Sequence, residues 1–206
     1  MEDSPSNKEH FEQSLEDFFR PLFSVQLPSD RLYTRGHMWL EDETSSSTTI
    51  GVDHIGAYFL QPIVSVVLPQ TPTRIDFRSP CTWLVLREGT IALRSAVAGI
   101  ATESNGNLLE HPYFLLDDPY NSGWLLRVKR SDGKEQRSEL LTSEDFTPIF
   151  QEEVRSMQDK FTSAFRKLQP NVGPTLFDGG MPVKSVQEIL GQKKYFEIIC
   201  KLFSKL

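Results

Sequence analysis

Four histidines, two cysteines and acid pairs such as Asp117-Asp118 are the side chains of this chain whose types could do chemistry, and their spacing gives them little to work with. A metal site needs His, Cys or carboxylate ligands at recognisable intervals, and none of His10, His37, His54 or His111 has such neighbours. No metal is expected. His10 and His54 suit surface or helix-cap positions, and His111 precedes Pro112. Cys81 and Cys200 stand far apart without a Cys-x-x-Cys motif, so both are expected to be free, buried thiols. No Gly-x-Ser-x-Gly elbow, phosphate-binding glycine loop or flanked Cys/His pair is present, which leaves an independent catalytic activity nothing to rest on. The chain is therefore not expected to be an enzyme. Asp118 is better placed to hold local backbone through its carboxylate than to act as an acid or base.

The elements that position these residues follow from patterning. With 206 residues and 38 % apolar content, the chain has enough material for one substantial core plus a small appendage. Acidic residues outnumber basic ones, 28 to 22, and no basic run occurs, so a nucleic-acid partner is not expected. The opening MEDSPSNKEH lacks the charge and apolar pattern of a secretory leader, and no stretch reaches the roughly 18 apolar residues of a membrane span. A cytoplasmic protein without a membrane association is expected.

Beyond a frayed start, Phe11, Leu15, Phe18, Phe19 and Leu22 recur at helical spacing, and Pro21 with Leu27-Pro28 should end that helix. Residues 1–30 thus form a tail and an amphipathic helix. From 31 to about 146, apolar runs such as Ile63 to Leu68 and Trp83 to Leu86 alternate with Pro, Gly, Asn and Ser clusters, the mark of strands and turns. One short helix is expected after Asp53 as cap. Thr44 to Thr49 should join two strands, and Asp132-Gly133 should form a hairpin turn. Residues 147–206 form a helical extension. Its apolar stripe, Phe150, Val154, Met157, Phe161, Phe165 and Leu168, predicts a helix over 148–168 that packs on protein and ends before Pro170. Ser185 and Glu188 then have capping-box spacing, Tyr195, Ile199, Leu202 and Leu206 continue an apolar face, and Gly191 should separate two helical pieces.

Within residues 31–153 an ordered series of motifs resembles the H protein of the glycine cleavage system. Tyr33-Thr-Arg-Gly-His37-Met-Trp39 is similar to that family's opening Tyr…His-Glu-Trp strand, and Gly51-Val-Asp53-His-Ile-Gly-Ala57 to its Gly-Ile-Thr-Asp-Tyr-Ala segment. Val64-Ser-Val-Val-Leu68-Pro69, Ala96-Val97-Ala98-Gly99, the pair Asn105 and Leu108, and Pro112 follow in the family's order. Asp118-Pro119-Tyr120-Asn-Ser-Gly123-Trp124-Leu125 resembles the Asp-Pro-Tyr-Gly-x-Gly-Trp-Leu signature most closely, and Leu140-Leu141-Thr-Ser-Glu-Asp-Phe146 resembles the start of the family's last helix. The resemblance implies a mainly β barrel-sandwich hybrid like the lipoyl domains, two antiparallel sheets with helices at the margins. It gives His37 a packing or hydrogen-bonding role.

The same resemblance implies a carrier whose lipoic acid is amide-linked to a hairpin-tip lysine in a Glu-Ser-x-Lys-Ala pattern. Counting back without gaps from Gly99 puts Glu88 at that position, and a shortened hairpin puts Gly89 or Thr90 there. No lysine lies between Lys8 and Lys129. Arg87 and Arg94 cannot replace it, since a guanidinium stays protonated, and Lys134 lacks the flanking pattern. The expectation is a non-lipoylated module without cofactor that binds or scaffolds a protein partner, with lipoate-handling and glycine-cleavage proteins as the candidates. The alternative is an atypical carrier modified at another lysine, or one that holds a small ligand noncovalently in a cleft near Trp83 and Glu88. Oligomeric state is left open.

Overall fold

The computed structural model describes residues 7–44, 46–131, 139–168 and 185–203. The Asp132-Gly133 turn with Lys134, the frayed start, the break at Pro170 and Leu206 lie outside the described residues. The chain divides into two compact units, one of residues 26–150 with 199–206, the other of 1–25 with 151–198. No helix among the described residues is long and apolar enough to cross a membrane.

The first unit is built on two antiparallel sheets. Strands β1 (Leu32–Tyr33), β2 (Met38–Asp42), β3 (Ser47–Val52), β5 (Thr73–Ile75), β8 (Gly99–Ser104) and β9 (Trp124–Arg130) form a six-stranded sheet in the order β1-β2-β3-β9-β8-β5. The second sheet has the order β4-β6-β7, from β4 (Ser65–Val67), β6 (Pro80–Val85) and β7 (Thr90–Arg94). The connection between β2 and β3 is shorter than the expected Thr44 to Thr49, since Ser47, Thr48 and Thr49 already belong to β3 and Thr48 and Thr49 pair with Asp42 and Glu41 of β2. Alternation places Leu84, Ile91 and Leu93 inward and leaves Trp83 outward. Gly51 is required on β3 opposite Trp39 of β2, because a Cβ there would come within 2.5 Å of the Trp39 indole.

Helix α2 (His54–Phe59) starts at the expected cap: the Asp53 carboxylate accepts the Gly56 N–H at 2.8 Å. Two further single-turn helices, α3 (Asn107–Glu110) and α4 (Phe114–Asp117), precede β9.

In the second unit, α1 (Asn7–Phe23) is joined by most of α5 (Ser143–Leu168), by α6 (Val186–Leu190) and by most of α7 (Gln192–Phe203). Pro21 does not end α1. It sits within the last turn, where it removes one helical hydrogen bond while the fully buried Leu22 beyond it offsets the loss. Phe11 stacks on Phe165 with ring centroids 3.7 Å apart, and Phe19 and Tyr195 approach Phe161 at 5.7 and 5.3 Å. The predicted α5 stripe therefore faces protein: Phe150, Val154, Met157 and Phe161 are buried and Phe165 is half-buried. The helix begins five residues earlier than predicted, at Ser143, where the Thr142 hydroxyl caps the Asp145 N–H at 3.2 Å; Pro148 lies inside it, past the first turn, since i→i−4 bonding has already begun with Phe146 N–H to the Thr142 carbonyl. The Ser185–Glu188 capping box forms, and Gly191, at φ 80°, divides α6 from α7.

One thiol differs from expectation. Cys81 is buried and its thiol is pushed up to about 12 by that burial, whereas Cys200 is only partly covered because it falls one position beyond the buried pair Ile198 and Ile199 on α7.

Candidate functional site

Seven of the motif residues converge on one end of the six-stranded sheet. Trp39, fully buried on β2, donates its indole N–H to the Pro119 carbonyl at 3.0 Å, and its ring lies 6.0 Å from that of Tyr120. Tyr120 in turn accepts the His54 backbone N–H at 3.3 Å, which ties the Asp-Pro-Tyr turn to the first residue of α2. Burial and the nearby Asp53 charge push the Tyr120 hydroxyl well above the ordinary phenol range, so it stays a neutral hydrogen-bonding group. His37, at φ 61°, pairs its Nδ1 with Asp53 Oδ2 at 3.1 Å, and both side chains are fully buried. The rings of Phe146 and Phe203 meet the imidazole at 6.3 and 5.7 Å.

Asp118 organises the turn itself. Its carboxylate accepts the Ser122 N–H at 2.9 Å, the Ser122 hydroxyl at 2.8 Å and the Asn121 amide at 2.9 Å. Gly123 donates to the Asp118 carbonyl at 2.8 Å, and a Cβ on it would lie 2.6 Å from the Phe114 carbonyl oxygen. Asn105 donates to the Ser122 and Trp124 carbonyls, both at 2.8 Å, and the Arg127 guanidinium covers the Trp124 ring at 4.7 Å.

One member of this cluster had no signal in the sequence. Arg31, almost buried, donates to Asp30, Glu41 and the Tyr120 carbonyl, while its guanidinium lies 5.2 Å from the Trp39 ring centre and 5.6 Å from that of Tyr120. A lone arginine before a strand looks like any solvated charge until the partner 89 residues downstream is known. Apart from the buried Arg31 Nε, which has no hydrogen-bond partner, the polar groups described above bond to one another and to backbone, so the chemistry of this cluster is that of a clasp. Among the described residues no three His, Cys, Asp or Glu side chains gather closely enough to hold a metal ion.

The Ser122 backbone N–H, followed by the Asn121 and Ser122 side chains, holds the Asp118 carboxyl below its ordinary 3.8. A lowered folded-state value means that this stabilisation is present above the unfolded value and is lost as pH falls through the folded one. The destabilisation by Asp118→Asn, read from urea midpoints, should thus be full at pH 7 and shrink below about pH 4. An equal loss at pH 7 and pH 3 would remove the carboxylate from this role.

Glu88 and Gly89 lie elsewhere, at the tip of the β6–β7 hairpin. Leu86 donates to the Gly89 carbonyl at 2.8 Å, leaving Arg87 and Glu88 as the exposed central residues of the turn. Trp83 lies on the outer face opposite Val67, three strand residues below the turn, roughly 10 Å away along the strand.

A model of the glycine cleavage H-protein family matches residues 31–153, which take in both the clasp and this hairpin. The chain belongs to that family. It is 32 % identical over 129 residues to the glycine cleavage system H protein of Rubrobacter xylanophilus, covering 63 % of this chain and 98 % of the relative. The probable glycine cleavage system H protein 1 of Saccharolobus solfataricus is 30 % identical over 118 residues, covering 57 % of this chain and 86 % of the relative. A crystal structure of the Mycobacterium marinum H protein superposes with a TM-score of 0.53 at 24 % identity, over 59 % of this chain and 97 % of the other, a likeness of fold. Residues beyond 153 fall outside the family match.

Proposed function

We propose that this H-protein-family chain works without lipoylation, as a non-catalytic module that binds lipoate-handling or glycine-cleavage proteins through the surface its family shares. The observation that carries the reading is the hairpin tip: Arg87-Glu88-Gly89-Thr90 occupies it, and no lysine lies between Lys8 and Lys129. An amide-linked arm needs a primary amine, and neither a carboxylate, a hydroxyl nor a guanidinium supplies one. The clasp residues His37, Trp39, Asp118, Pro119, Tyr120, Gly123 and Trp124 serve in this reading to hold the fold on which recognition depends. The helices after residue 147 add surface that the family match does not cover beyond 153.

Competition tests the binding half of this proposal. The purified chain should lower the rate at which a lipoate ligase or a glycine-cleavage enzyme uses an authentic H protein, in proportion to its concentration. Unchanged rates at large molar excess, for every such enzyme tried, would leave the module without the partners named.

A further inference from the structure

We propose that β7 is a self-association edge, through which two copies of this chain pair antiparallel into one continuous six-stranded sheet. Each of the other sheet edges is short or covered. β1 has two residues, and its outer side is taken by Leu141, which exchanges both backbone bonds with Tyr33 at 2.8 and 2.9 Å. β4 has three residues with α3 beside it, and β5 has three residues centred on the exposed Arg74. β7 offers five, Thr-Ile-Ala-Leu-Arg, with no lysine or proline among them and no strand on its outer side among the described residues. Such an edge is a ready template for a further strand, and proteins that do not use one normally blunt it with charge, proline or a cover.

The hydrogen-bond alternation fixes which groups are offered. Leu86 and Gly89 form a bonded pair, and the Val85 carbonyl accepts from Val64 on the other side, so the Val85/Thr90 pair is not bonded across β6–β7. The backbone N–H and C=O of Thr90 and Ala92 accordingly point away from β6. If Ile91 stands opposite its own copy, Thr90 meets the second copy's Ala92 with their outward groups aligned, and the second copy's Arg94, at the end of its strand, comes beside the turn that carries Glu88. A two-fold axis makes that opposite-charge pair twice.

Within one chain the same two charges cannot meet. Glu88 lies in the turn before Thr90 and Arg94 ends β7, so the strand between them alone spans roughly 13 Å, and neither has an ion-pair partner among the described residues; Arg94 donates to the Arg78 carbonyl at 2.9 Å and keeps further donors. Charge complementarity therefore selects a second copy as the occupant. Pairing would also join the outer faces of the two small sheets, on which Trp83 and Val67 remain 38 % and 48 % exposed.

Sedimentation equilibrium of the full chain over a concentration series tests this independently of lipoylation. Wild type should show a reversible monomer–dimer equilibrium. Glu88→Arg sets like charges opposite each other at both ends of the pairing and should weaken association roughly tenfold. This exposed side chain has no described hydrogen-bond or ion-pair partner to lose, so folding should be intact by circular dichroism. Combining it with Arg94→Glu should restore the affinity by exchanging the charges. A chain that stays monomeric throughout the series, or a Glu88→Arg protein that dimerises as wild type does, would overturn the proposal.

Discussion

Trp39→Ala should cost about 3–5 kcal/mol of folding stability, the loss expected for a large, fully buried aromatic side chain. Three contacts go with the ring: the indole N–H to the Pro119 carbonyl, the cover given by Arg31, and the close seat over Gly51. Arg31 would be left nearly buried beside the void, with its bonds to Asp30 and Glu41 intact but its aromatic support reduced. Trp39→Phe separates the contributions, since it keeps most of the apolar volume and removes only the donor to a buried carbonyl, worth about 1–3 kcal/mol. Urea denaturation of both variants checks the order. Trp83→Ala, at a partly exposed position, should cost far less than Trp39→Ala. If the two alanine variants lose equal stability, the clasp around Trp39 does not hold the fold together.

Asp53→Ala should be the second most damaging change, at about 2–4 kcal/mol. Both carboxylate oxygens are committed: Oδ1 accepts the Gly56 N–H and caps α2, and Oδ2 holds the His37 imidazole. Removing the cap alone costs about 1 kcal/mol, and leaving a fully buried imidazole without its acceptor adds about 1–3 kcal/mol. Asp53→Asn keeps a capping oxygen and should recover the cap's share only. Denaturant midpoints give the totals, and NMR of the His37 ring protons reads the loss of its partner directly. Full rescue by asparagine would mean that the His37 contact contributes nothing to stability.

Local signals were legible wherever the responsible residues lie within a turn of one another. The Asp53 cap, the Ser185–Glu188 box and the Gly191 break each depend on a few consecutive residues, and all three are found as read. The strand from Trp83 and the stripe on α5 likewise follow from periodicity. What escaped reading is the set of long-range partners. Trp39 and Pro119 are 80 residues apart, and Arg31 reaches 89 residues to Tyr120; only the resemblance to a family hinted that these motifs belong together. His37 and Asp53 were each singled out but not paired, because nothing in a 16-residue separation announces a contact across two strands. Pro21 was misread for a similar reason: proline's local cost is plain in sequence, while the burial of Leu22 that offsets it is tertiary.

Glu88→Lys would place an amine at the hairpin tip, yet modification should stay poor, since Val85-Leu86 and Gly89 replace the Glu-Ser and Ala that flank the lysine in the family pattern. Efficient modification of that variant would show that tip geometry suffices. The wild-type chain gives the most direct measurement: intact and peptide mass after expression with a lipoate ligase and free lipoate, beside an authentic H protein as control. The control should gain a lipoyl group and the wild-type chain should gain no mass; a lipoyl adduct on any of its lysines would contradict the account.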